Sequence, residues 1–417
     1  MNQPKPFIIS KSLVWDAYKT VKANKGGAGV DQESLLSFEQ NLNKNLYKIW
    51  NRLSSGSYFP PAVRGVEIPK KQGGVRLLGV PTVSDRIAQM TIKQMFEPLV
   101  EPHFLEDSYG YRPDKSALDA IGVTRKRCWK YDWLIEFDIK GLFDNIDHDL
   151  LMKAVRHHTN DKCILLYIER WIKAPLQMPD GTIQDRTQGT PQGGVISPVL
   201  SNLYLHYVFD VWMTKNHPES LWCRYADDGI CHCKTRKEAQ ALLEALKQRF
   251  IECGLEIHPD KTKLVYCKSY LHRDNKHKDT SFTFLGYEFR ARPAKNSKTG
   301  EIFTSFLPAI SPKAKKSILA KIRELNVRNK TGHSLKQLAK WLNPILRGWI
   351  NYYGKYTRSE IEGIFTRING TLAKWSMRKY KKLRNKKTQA AKLMEEIASN
   401  KPYLFAHWRI GITGVFI

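Results

Sequence analysis

The apolar pattern along the chain alternates between helical and strand periods. Helices with apolar residues every three or four positions are predicted at 11–25, 32–55, 84–100, 147–157, 161–172, 197–213 and 236–253. Strands, which combine short apolar runs with flanking turn residues, are predicted at 63–69, 75–80, 133–139, 221–226, 229–233 and 263–267. Because the two types alternate between Tyr131 and Val265, the pattern predicts an α+β sheet with helices on one face.

The rest of the chain is predicted to be a hairpin followed by helices. The hairpin comprises 281–289 and 301–306, and the helices cover 312–327, 334–353, 358–384 and 388–399. Pro344 is expected to kink or split the second of these helices, with Asn343 capping the new start. Ser84 and Ser197 are the predicted N-caps of two earlier helices.

Charge separates the chain into two parts. The 417 residues carry a net charge of +28, and their length predicts two or three domains. From residue 291 onward there are 27 Lys and Arg against six Glu and no Asp, so +21 of the excess lies there. This distribution indicates a near-neutral catalytic body joined to a basic region that binds a polyanion.

Several patterns predict a cytoplasmic protein. The seven cysteines include no Cys-x-x-Cys motif, which favours reduced, buried thiols. The first residues lack the apolar core of a signal peptide, and no uninterrupted apolar run reaches the roughly 18 residues that a membrane helix needs. We therefore expect the basic surface to bind nucleic acid rather than a membrane, in a nucleoid-associated or ribonucleoprotein particle.

Three carboxylates lie at the ends of predicted strands. Asp227 and Asp228 are adjacent at the tip of an apolar strand pair, and Asp138 ends the strand at 133–139. A single Asp-Asp pair in a turn is usually a solvated loop, but a cluster in an apolar setting is costly unless a cation neutralises it. Two Mg²⁺ ions would do so, with the carbonyl of Ile139 as a further oxygen ligand, and this is the machinery of in-line phosphoryl transfer.

The surrounding motifs resemble the reverse transcriptases encoded by group II introns, also called intron maturases. The matching segments occur in family order at 74–82, 108–113, 137–148, 189–198, 225–228, 259–263, 284–286 and 347–353. Each motif is weak alone, and the full ordered set is highly specific. The resemblance implies a right-hand polymerase with a helical, basic maturase or thumb domain at its C-terminal end.

The resemblance also implies a division into functional domains. The fingers with an N-terminal extension would occupy 1–125 and the palm, which holds the catalytic aspartates, 126–290. A helical thumb or maturase domain would follow at 291–390. Residues 391–417 would form a basic C-terminal segment, interpreted as a possible remnant of a DNA-binding domain.

Roles at the polymerase site are implied by the matching positions. The residues matching Asp138 and Asp227 ligate both metals, and the residue matching Asp228 joins or tunes the site. The incoming nucleotide would meet residues at Lys70, Arg76, Ile139, Phe143 and Gln192. Phe143 corresponds to the aromatic residue that rejects a ribose 2′-hydroxyl, which favours dNTPs. Ordinary core packing is the alternative for Phe143, and simple solvent exposure is the alternative for Lys70 and Arg76.

Primer and template contacts are implied at a second set of positions. Tyr225 would lie against the primer end, and Lys261 near the carboxylates or the triphosphate. Leu285 and Gly286 fall in the motif of the primer grip. In this reading the enzyme copies an RNA template from a DNA primer 3′-hydroxyl with dNTPs and two Mg²⁺ ions.

The basic C-terminal third is the predicted RNA-binding surface. Segment 374–387 holds eight basic residues and no acid, and this density of like charge is relieved by a polyanion. The predicted RNA contacts are Arg347, Lys374, Arg378, Lys379, Lys381, Lys382 and Arg384. Tyr352 and Tyr353 fit either base stacking or core packing. His407-Trp408-Arg409 fits either capping of the thumb or contact with DNA.

Two departures from the family pattern qualify these expectations. Leu142 stands where the family usually has a first aromatic residue, so only Phe143 remains as the gate. No cysteine follows Cys267, so we expect the Cys-rich endonuclease domain of larger members to be missing.

Structured intron RNA, a template–primer duplex and target DNA are the expected partners of a monomer or homodimer that also assists splicing. The alternatives are a domesticated stand-alone reverse transcriptase in phage defence or repair, and an RNA-binding splicing cofactor with an idle polymerase. An RNA-dependent RNA polymerase is a third alternative, and Phe143 argues against it.

Overall fold

The computed structural model describes residues 5–69, 74–267, 277, 279–296, 298–414 and 416. The chain divides into two compact units. The first comprises Met1–Ala120 and Ile135–Lys263, and the second comprises Ile121–Leu134 and Leu264–Ile417. The chain passes between the units inside a helix, inside a strand and at the start of another strand, so the predicted domain limits at 125 and 290 are not the limits of compact units.

The first unit begins with helices and a small sheet. Its helices are α1 Lys11–Asn24, α2 Leu35–Gln40, α3 Leu42–Ser54, α4 Val83–Val100 and α5 Ala117–Arg127, the last of which continues into the second unit. The strands are β1 Val63–Pro69, β2 Val75–Val80, β4 Leu176–Gln177 and β5 Ile183–Gln184, in the order β2-β1-β4-β5. The predicted hairpin is confirmed, with Arg64 opposite Val80 and Pro69 opposite Val75.

A second sheet carries the predicted acidic residues. Its strands are β3 Trp133–Asp138, β6 Trp222–Tyr225, β7 Asp228–Cys233 and β8 Lys263–Tyr266, in the order β6-β7-β3-β8. The accompanying helices are α6 Leu142–Asn145, α7 His148–His158, α8 Lys162–Ile172, α9 Ser197–Leu205, α10 Val211–Asn216 and α11 Arg236–Glu252. A capping box between Thr235 and Glu238 fixes the start of α11. The predicted alternation of helices and strands is confirmed.

The second unit combines a hairpin-based sheet with four long helices. Its strands are β9 Ser281–Phe284, β10 Tyr287–Lys295 and β11 Ile302–Ile310, in the order β11-β10-β9. The helices are α12 Pro312–Leu325, α13 Leu335–Tyr353, α14 Ser359–Lys379 and α15 Lys387–Asn400. Their apolar faces share one core with residues beyond α15, among them Phe405 and Trp408. The segment 391–417 is therefore part of the packing of this unit, whereas its proposed descent from a DNA-binding domain stays a prediction.

Several helix starts differ from the predicted ones. The N-cap of α4 is Thr82, not Ser84, because the Thr82 hydroxyl accepts a hydrogen bond from the Asp85 amide at 3.1 Å. Ser197 is the first residue of α9 and follows Ile196 as the cap. Pro198 is compatible with a helix that starts at Ser197 or one residue later, because the amides of the first turn have no partner inside the helix.

Two predicted helices are interrupted. Segment 32–55 contains two helices that meet at Asn41, and the side-chain amide of Asn45 donates to the carbonyl of Phe38 at 3.0 Å. Segment 197–213 changes at His206–Asp210 to a π-helical turn. Arg249 donates to the carbonyls of Tyr207 at 3.3 Å and Val208 at 3.1 Å, so the altered backbone keeps its hydrogen bonds.

Of the two effects expected of Pro344 on the helix at 334–353, a kink or a split, the split is wrong. Helix α13 continues through Pro344, and Asn343 caps no new helix. Instead the Asn343 side chain donates to the carbonyl of Leu404 and accepts from the amide of Ala406, at 3.0 and 2.8 Å. The predicted helix at 358–384 also ends early, at Lys379, because Tyr380 adopts an extended conformation.

Among the residues that the structure describes, none of the helices combines the length and the apolar character needed to cross a membrane.

Candidate active site

The three predicted carboxylates meet at the ends of neighbouring strands in the first unit. Asp138 is the last residue of β3, Asp228 is the first residue of β7, and Asp227 lies in the turn between β6 and β7. The amide of Ile139 donates to the carbonyl of Asp227 at 3.2 Å. This bond joins the turn to the end of β3 and so holds the acidic residues of both segments at one place.

A tight turn shapes the site. Tyr225 pairs with Asp228 across the turn, and Ala226 adopts a left-handed conformation with φ of 56°. Gly110 packs directly against this turn, because a Cβ atom there would lie 2.4 Å from the amide nitrogen of Ala226. Any larger residue at position 110 would therefore displace the turn that carries Asp227.

A buried arginine braces the turn from below. Arg224 is fully buried and binds Asp210 through two nitrogens, Nε at 2.7 Å and Nη2 at 2.6 Å. Its other contacts are Asn202 Oδ1 at 3.1 Å, Ser108 Oγ at 2.8 Å and the carbonyl of Ala226 at 3.3 Å. The guanidinium thus joins three separate segments to the turn, a role that was not predicted from the sequence. The Arg immediately before the Tyr-Ala-Asp-Asp motif was the available signal.

Burial and the neighbouring negative charges raise the pKa of two of the carboxylates, Asp227 and Asp228. Burial, followed by the neighbouring charges of Asp227 and Asp138, raises the pKa of Asp228 to about 7. Burial also raises the pKa of Asp227, with a further contribution from Asp138. A carboxylate with a raised pKa is one whose negative charge lacks enough compensating positive charge. Binding of a cation would therefore stabilise the ionised form of this cluster.

Lys261 is the close positive partner in this cluster. Its Nζ lies 2.7 Å from Asp138 Oδ2, and its side chain is half exposed. Lys261 is positioned by the 3-10 turn at Pro259–Lys261. The residue before this turn, His258, is tied to the end of β3, because its amide donates to the carbonyl of Asp138 at 2.8 Å. The predicted proximity of Lys261 to the carboxylates is thus observed.

The acidic cluster is not a closed metal cage. Within the described ranges, no group of three or more His, Cys, Asp and Glu side chains is arranged to hold a metal ion. Mg²⁺ does not require such a group, because it is usually bound by one or two carboxylates together with water and substrate phosphates. The hard anionic oxygens, the burial and the excess negative charge all fit a divalent ion shared with a substrate.

Strand β2 and the glycine-rich loop at 189–194, which carry predicted nucleotide contacts, lie side by side. Arg76 Nε donates to Gln192 Oε1, and the amide of Gly79 donates to the carbonyl of Gln192 at 2.7 Å. Gly193 has φ of 115°, and a Cβ there would lie 2.5 Å from the carbonyl oxygen of Gly79. Two predicted nucleotide contacts, Arg76 and Gln192, are therefore side by side. Lys70 lies outside the described residues.

An aromatic pair borders the acidic cluster. Phe143, in α6, is 8% exposed, and its ring centroid lies 6.5 Å from that of Tyr111 in an edge-to-face arrangement. Burial raises the pKa of Tyr111, and the charge of Asp227 adds to that shift, so the Tyr111 hydroxyl is near the carboxylates. Tyr111 lies inside the matched motif at 108–113, but no role was predicted for it from the sequence.

The predicted primer-grip residues lie in the second unit. Leu285 and Gly286 form the turn between β9 and β10, with φ of 50° and 79°. The hydroxyl of Tyr352 donates to the carbonyl of Leu285 at 2.7 Å, and Tyr287 donates to the carbonyl of Tyr352. The end of α13 therefore holds this turn in place, which favours the packing alternative for Tyr352.

The predicted RNA-binding residues form an exposed basic surface of the second unit. Those with exposed side chains are Arg347, Lys374, Arg378, Lys381, Lys382 and Arg384. Lys379 differs, because its Nζ donates to the carbonyls of Thr331 at 2.8 Å and His333 at 2.9 Å. His407 and Trp408 are buried, which favours capping of the thumb over contact with DNA for these two residues, whereas Arg409 is exposed.

Comparison with known proteins agrees with this geometry. The profile of the reverse transcriptase (RNA-dependent DNA polymerase) family matches residues 68–289, and that of the group II intron maturase-specific domain matches residues 315–394. The expectation of an α+β right-hand polymerase fold is therefore confirmed.

Individual relatives point the same way. Protein YkfC of Escherichia coli is 32% identical over 69% of this chain and 82% of its own length. The group II intron-encoded protein LtrA of Lactococcus lactis is 32% identical over 48% of this chain, which spans only 33% of LtrA. A solved structure, apo telomerase from Candida tropicalis truncated from the C-terminal domain, gives a TM-score of 0.42 at 16% identity. That alignment covers 62% of this chain and 60% of the telomerase, a likeness too low to bear on the fold. The chain belongs to the reverse transcriptase family of RNA-directed DNA polymerases, in the group that also carries a group II intron maturase-specific domain.

Proposed function

We propose that this chain extends a DNA primer 3′-hydroxyl with dNTPs on an RNA template, with Asp138, Asp227 and Asp228 as its catalytic residues. The observation that carries the proposal is the meeting of three carboxylates at the strand ends, with a raised pKa at Asp227 and Asp228. Phosphoryl transfer needs positive charge at the attacking and leaving oxygens, and such a cluster supplies the place to hold it.

Reverse transcriptases generally use divalent metal ions, and the donor set here fits two Mg²⁺ ions. Asp138, Asp227 and Asp228 would hold them, with the carbonyl of Ile139 as a further ligand. When bound, the ions lower the pKa of the attacking hydroxyl and stabilise the leaving pyrophosphate. Lys261 holds the Asp138 carboxylate in position through its 2.7 Å contact.

Nucleotide selection is assigned to the residues bordering the carboxylates. Arg76, together with Lys70, would bind the triphosphate, and Gln192 orients Arg76 through their hydrogen bond. The Phe143 ring would exclude a 2′-hydroxyl, because the ring fills the space and offers that oxygen no hydrogen-bond partner. Tyr111, packed edge-on against the ring, fixes its orientation.

Nucleic acid would be held by both units. Template–primer nucleic acid and intron RNA are the partners expected for this family, and the exposed cations of the second unit suit a phosphate backbone. In our proposal residues 1–125 act as fingers, 126–290 as palm, 291–390 as thumb and maturase domain, and 391–417 as a C-terminal segment. Tyr225 contacts the primer end, and the turn at Leu285 and Gly286 contacts the primer strand.

We further assign binding of structured intron RNA, and with it assistance of splicing, to the helical part of the second unit. The maturase-specific match at 315–394 and the exposed basic residues coincide there. Target DNA completes the proposed partners. A splicing cofactor with an idle polymerase is disfavoured, because all three carboxylates and Phe143 are retained around one intact turn.

Primer extension on an RNA template tests the catalytic assignment. We expect synthesis to require Mg²⁺ and dNTPs and to be lost in Asp227→Ala. Asp149→Ala is the matched control, since this exposed aspartate lies in the first turn of α7, outside the cluster. Undiminished synthesis by Asp227→Ala would refute the assignment of the metal site.

A further inference from the structure

The second unit contains a groove of about 1020 Å³ that the polymerase site does not use. It lies between the start of α13, the end of α14 with the 3-10 turn at Lys381–Leu383, and one face of α15. Its floor is apolar and consists of Leu335, Leu383, Leu393, Met394, Ile397 and Leu404. Most of these side chains are half-buried, so an apolar surface is open to a ligand.

The rim of this groove is positively charged. Lys336, Lys381, Lys382 and Lys401 are exposed and line it, and no Asp or Glu is among the lining residues. The basic run continues past the groove along segment 374–387. A cationic surface that extends beyond an apolar groove complements an extended polyanion better than a compact acidic patch on a folded protein.

An exposed aromatic ring completes the lining. Tyr380 is 44% exposed, and its ring lies edge-on to Trp375 at a centroid distance of 6.1 Å. Trp375 is almost fully buried, and its Nε1 donates to the carbonyl of Lys330 at 3.0 Å. The tryptophan therefore anchors the tyrosine while a large part of the tyrosine ring stays open to stacking.

We propose that this groove receives unpaired bases of single-stranded RNA, with their phosphates on the surrounding lysines. The proposal rests on the RNA-binding role assigned above to the second unit, and it adds that the bases themselves are bound. Splayed bases have apolar faces that stack on aromatic rings and aliphatic side chains, whereas a duplex keeps those faces stacked inside. The groove thus selects unpaired over paired RNA.

The test compares three fluorescent RNA probes: a single-stranded 12-mer, the same strand fully paired, and an abasic 12-mer that keeps every phosphate. Binding is measured with an unlabelled template–primer duplex in excess, which occupies the polymerase cleft. Since stacking on an aromatic residue contributes about 1–3 kcal/mol per base, we expect the base-bearing strand to bind about tenfold more tightly than the abasic strand.

Two variants locate that difference in the groove. Tyr380→Ala removes the exposed ring, and Ile397→Asn makes the floor polar while every lysine stays. Each should weaken binding of the base-bearing strand about tenfold, to the level of the abasic strand, and Tyr380→Phe should restore it. Lys392→Ala, an exposed lysine of α15 outside the groove, is the charge control. Thermal unfolding of each variant checks that it is folded.

The outcomes separate this proposal from the proposed function. Equal affinity for base-bearing and abasic strands, or equal loss for all three probes in Tyr380→Ala, would overturn base binding and leave phosphate binding intact. Tighter binding of an acidic amphipathic peptide that displaces the RNA strand would overturn it in favour of a protein partner. If none of the RNA probes binds even when the competing duplex is left out, both the groove assignment and the RNA-binding role of the second unit are wrong.

Discussion

The acidic site of the first unit and the basic surface of the second are built by opposite means. Each carboxylate of the site is fixed by contacts from distant segments, as when Lys261 reaches Asp138 from 123 residues away. The cations of the basic surface are mostly exposed, and all but Arg347 lie close together in sequence, along the end of α14 and the 3-10 turn after it. The acidic site therefore depends on the exact positions of a few side chains, whereas the basic surface depends on the summed charge of many similar side chains.

This contrast follows from the physics of burial. A buried charge is costly unless its partners are in place, so losing one partner affects the whole site. An exposed lysine gains little from any single neighbour and contributes mainly by the phosphate charge that it neutralises. Substitutions should therefore have large, non-additive effects in the first region and small, additive effects in the second.

Removal of the brace under the turn should have the largest effect. Arg224→Met leaves Asp210 charged and buried without its partner, so we expect a loss of about 3–5 kcal/mol in the free energy of unfolding. The double variant Arg224→Met, Asp210→Leu should recover most of this stability, because a packed apolar pair replaces the ions. Chemical denaturation measures both.

Primer extension by the double variant tests whether Arg224 only stabilises the fold or also positions the turn that carries Asp227. The double variant lacks the bond from Arg224 to the carbonyl of Ala226, so we expect its kcat to stay low although its stability returns. A reduced kcat with little change in KM for dNTP indicates misplaced carboxylates. Full recovery of kcat in the double variant would show that Arg224 serves only the fold.

A smaller loss is expected at a glycine between the catalytic strands. A Cβ at Gly229 would lie 2.1 Å from Cζ of Phe137, so Gly229→Ala forces β7 away from β3. We expect a loss of about 1–3 kcal/mol in stability, as for other overpacked cores, and slower primer extension. Gly229→Ala combined with Phe137→Leu should relieve the clash. If the single variant is as stable and as active as the parent, the two strands are not tightly packed there.

These residues also mark the limit of prediction from sequence. The strand pattern located Asp138, Asp227 and Asp228 correctly at strand ends, because an apolar run followed by an acid is a local signal. The partners of Arg224 were not predictable, since Asp210 and Ser108 lie 14 and 116 residues away along the chain. The π-helical turn that contains Asp210 likewise depends on Arg249 from another helix, not on its own sequence.

The predictions of several helix ends were wrong because those ends also depend on contacts between residues that are distant in sequence. Thr82 and Ser84 are both acceptable caps by composition, and the choice depends on the buried surroundings of Asp85, which binds Tyr58 and Trp171. Asn343 was expected to cap a helix and instead binds a segment about 60 residues later. Tertiary hydrogen bonds, which a local pattern does not contain, decided each case.

Protonation of His407, a buried histidine of the second unit, should change stability by an amount between the effects expected at the acidic site and on the basic surface. Burial lowers the pKa of His407 to about 3, and its Nε2 lies 2.7 Å from Asn369 Oδ1. The unfolded chain takes up this proton near pH 6.5, so stability is intact above that pH and is lost as the pH falls toward 3. We expect this histidine to contribute up to about 1.4 kcal/mol of lost stability per pH unit in that window.

Unfolding at a series of pH values between 7 and 4 measures the effect. His407→Gln keeps a hydrogen-bond donor for Asn369 and removes the titration, so its stability should fall less steeply than that of the parent. His333→Gln, at an exposed position, controls for the loss of a histidine. Equal slopes for His407→Gln and the parent would show that His407 does not contribute to the acid sensitivity.

The smallest effects per residue are expected on the basic surface, where two kinds of lysine can be distinguished. Lys381→Ala, Lys382→Ala and Arg384→Ala should each lower the slope of log affinity against log salt by about 0.9, and the triple variant by about three times as much. Lys379→Ala should leave that slope nearly unchanged, because its Nζ is engaged by the carbonyls of Thr331 and His333. It should instead cost about 1 kcal/mol in stability. A slope that drops for Lys379→Ala as much as for Lys382→Ala would mean that both lysines bind phosphate, so that position on this surface matters less than total charge.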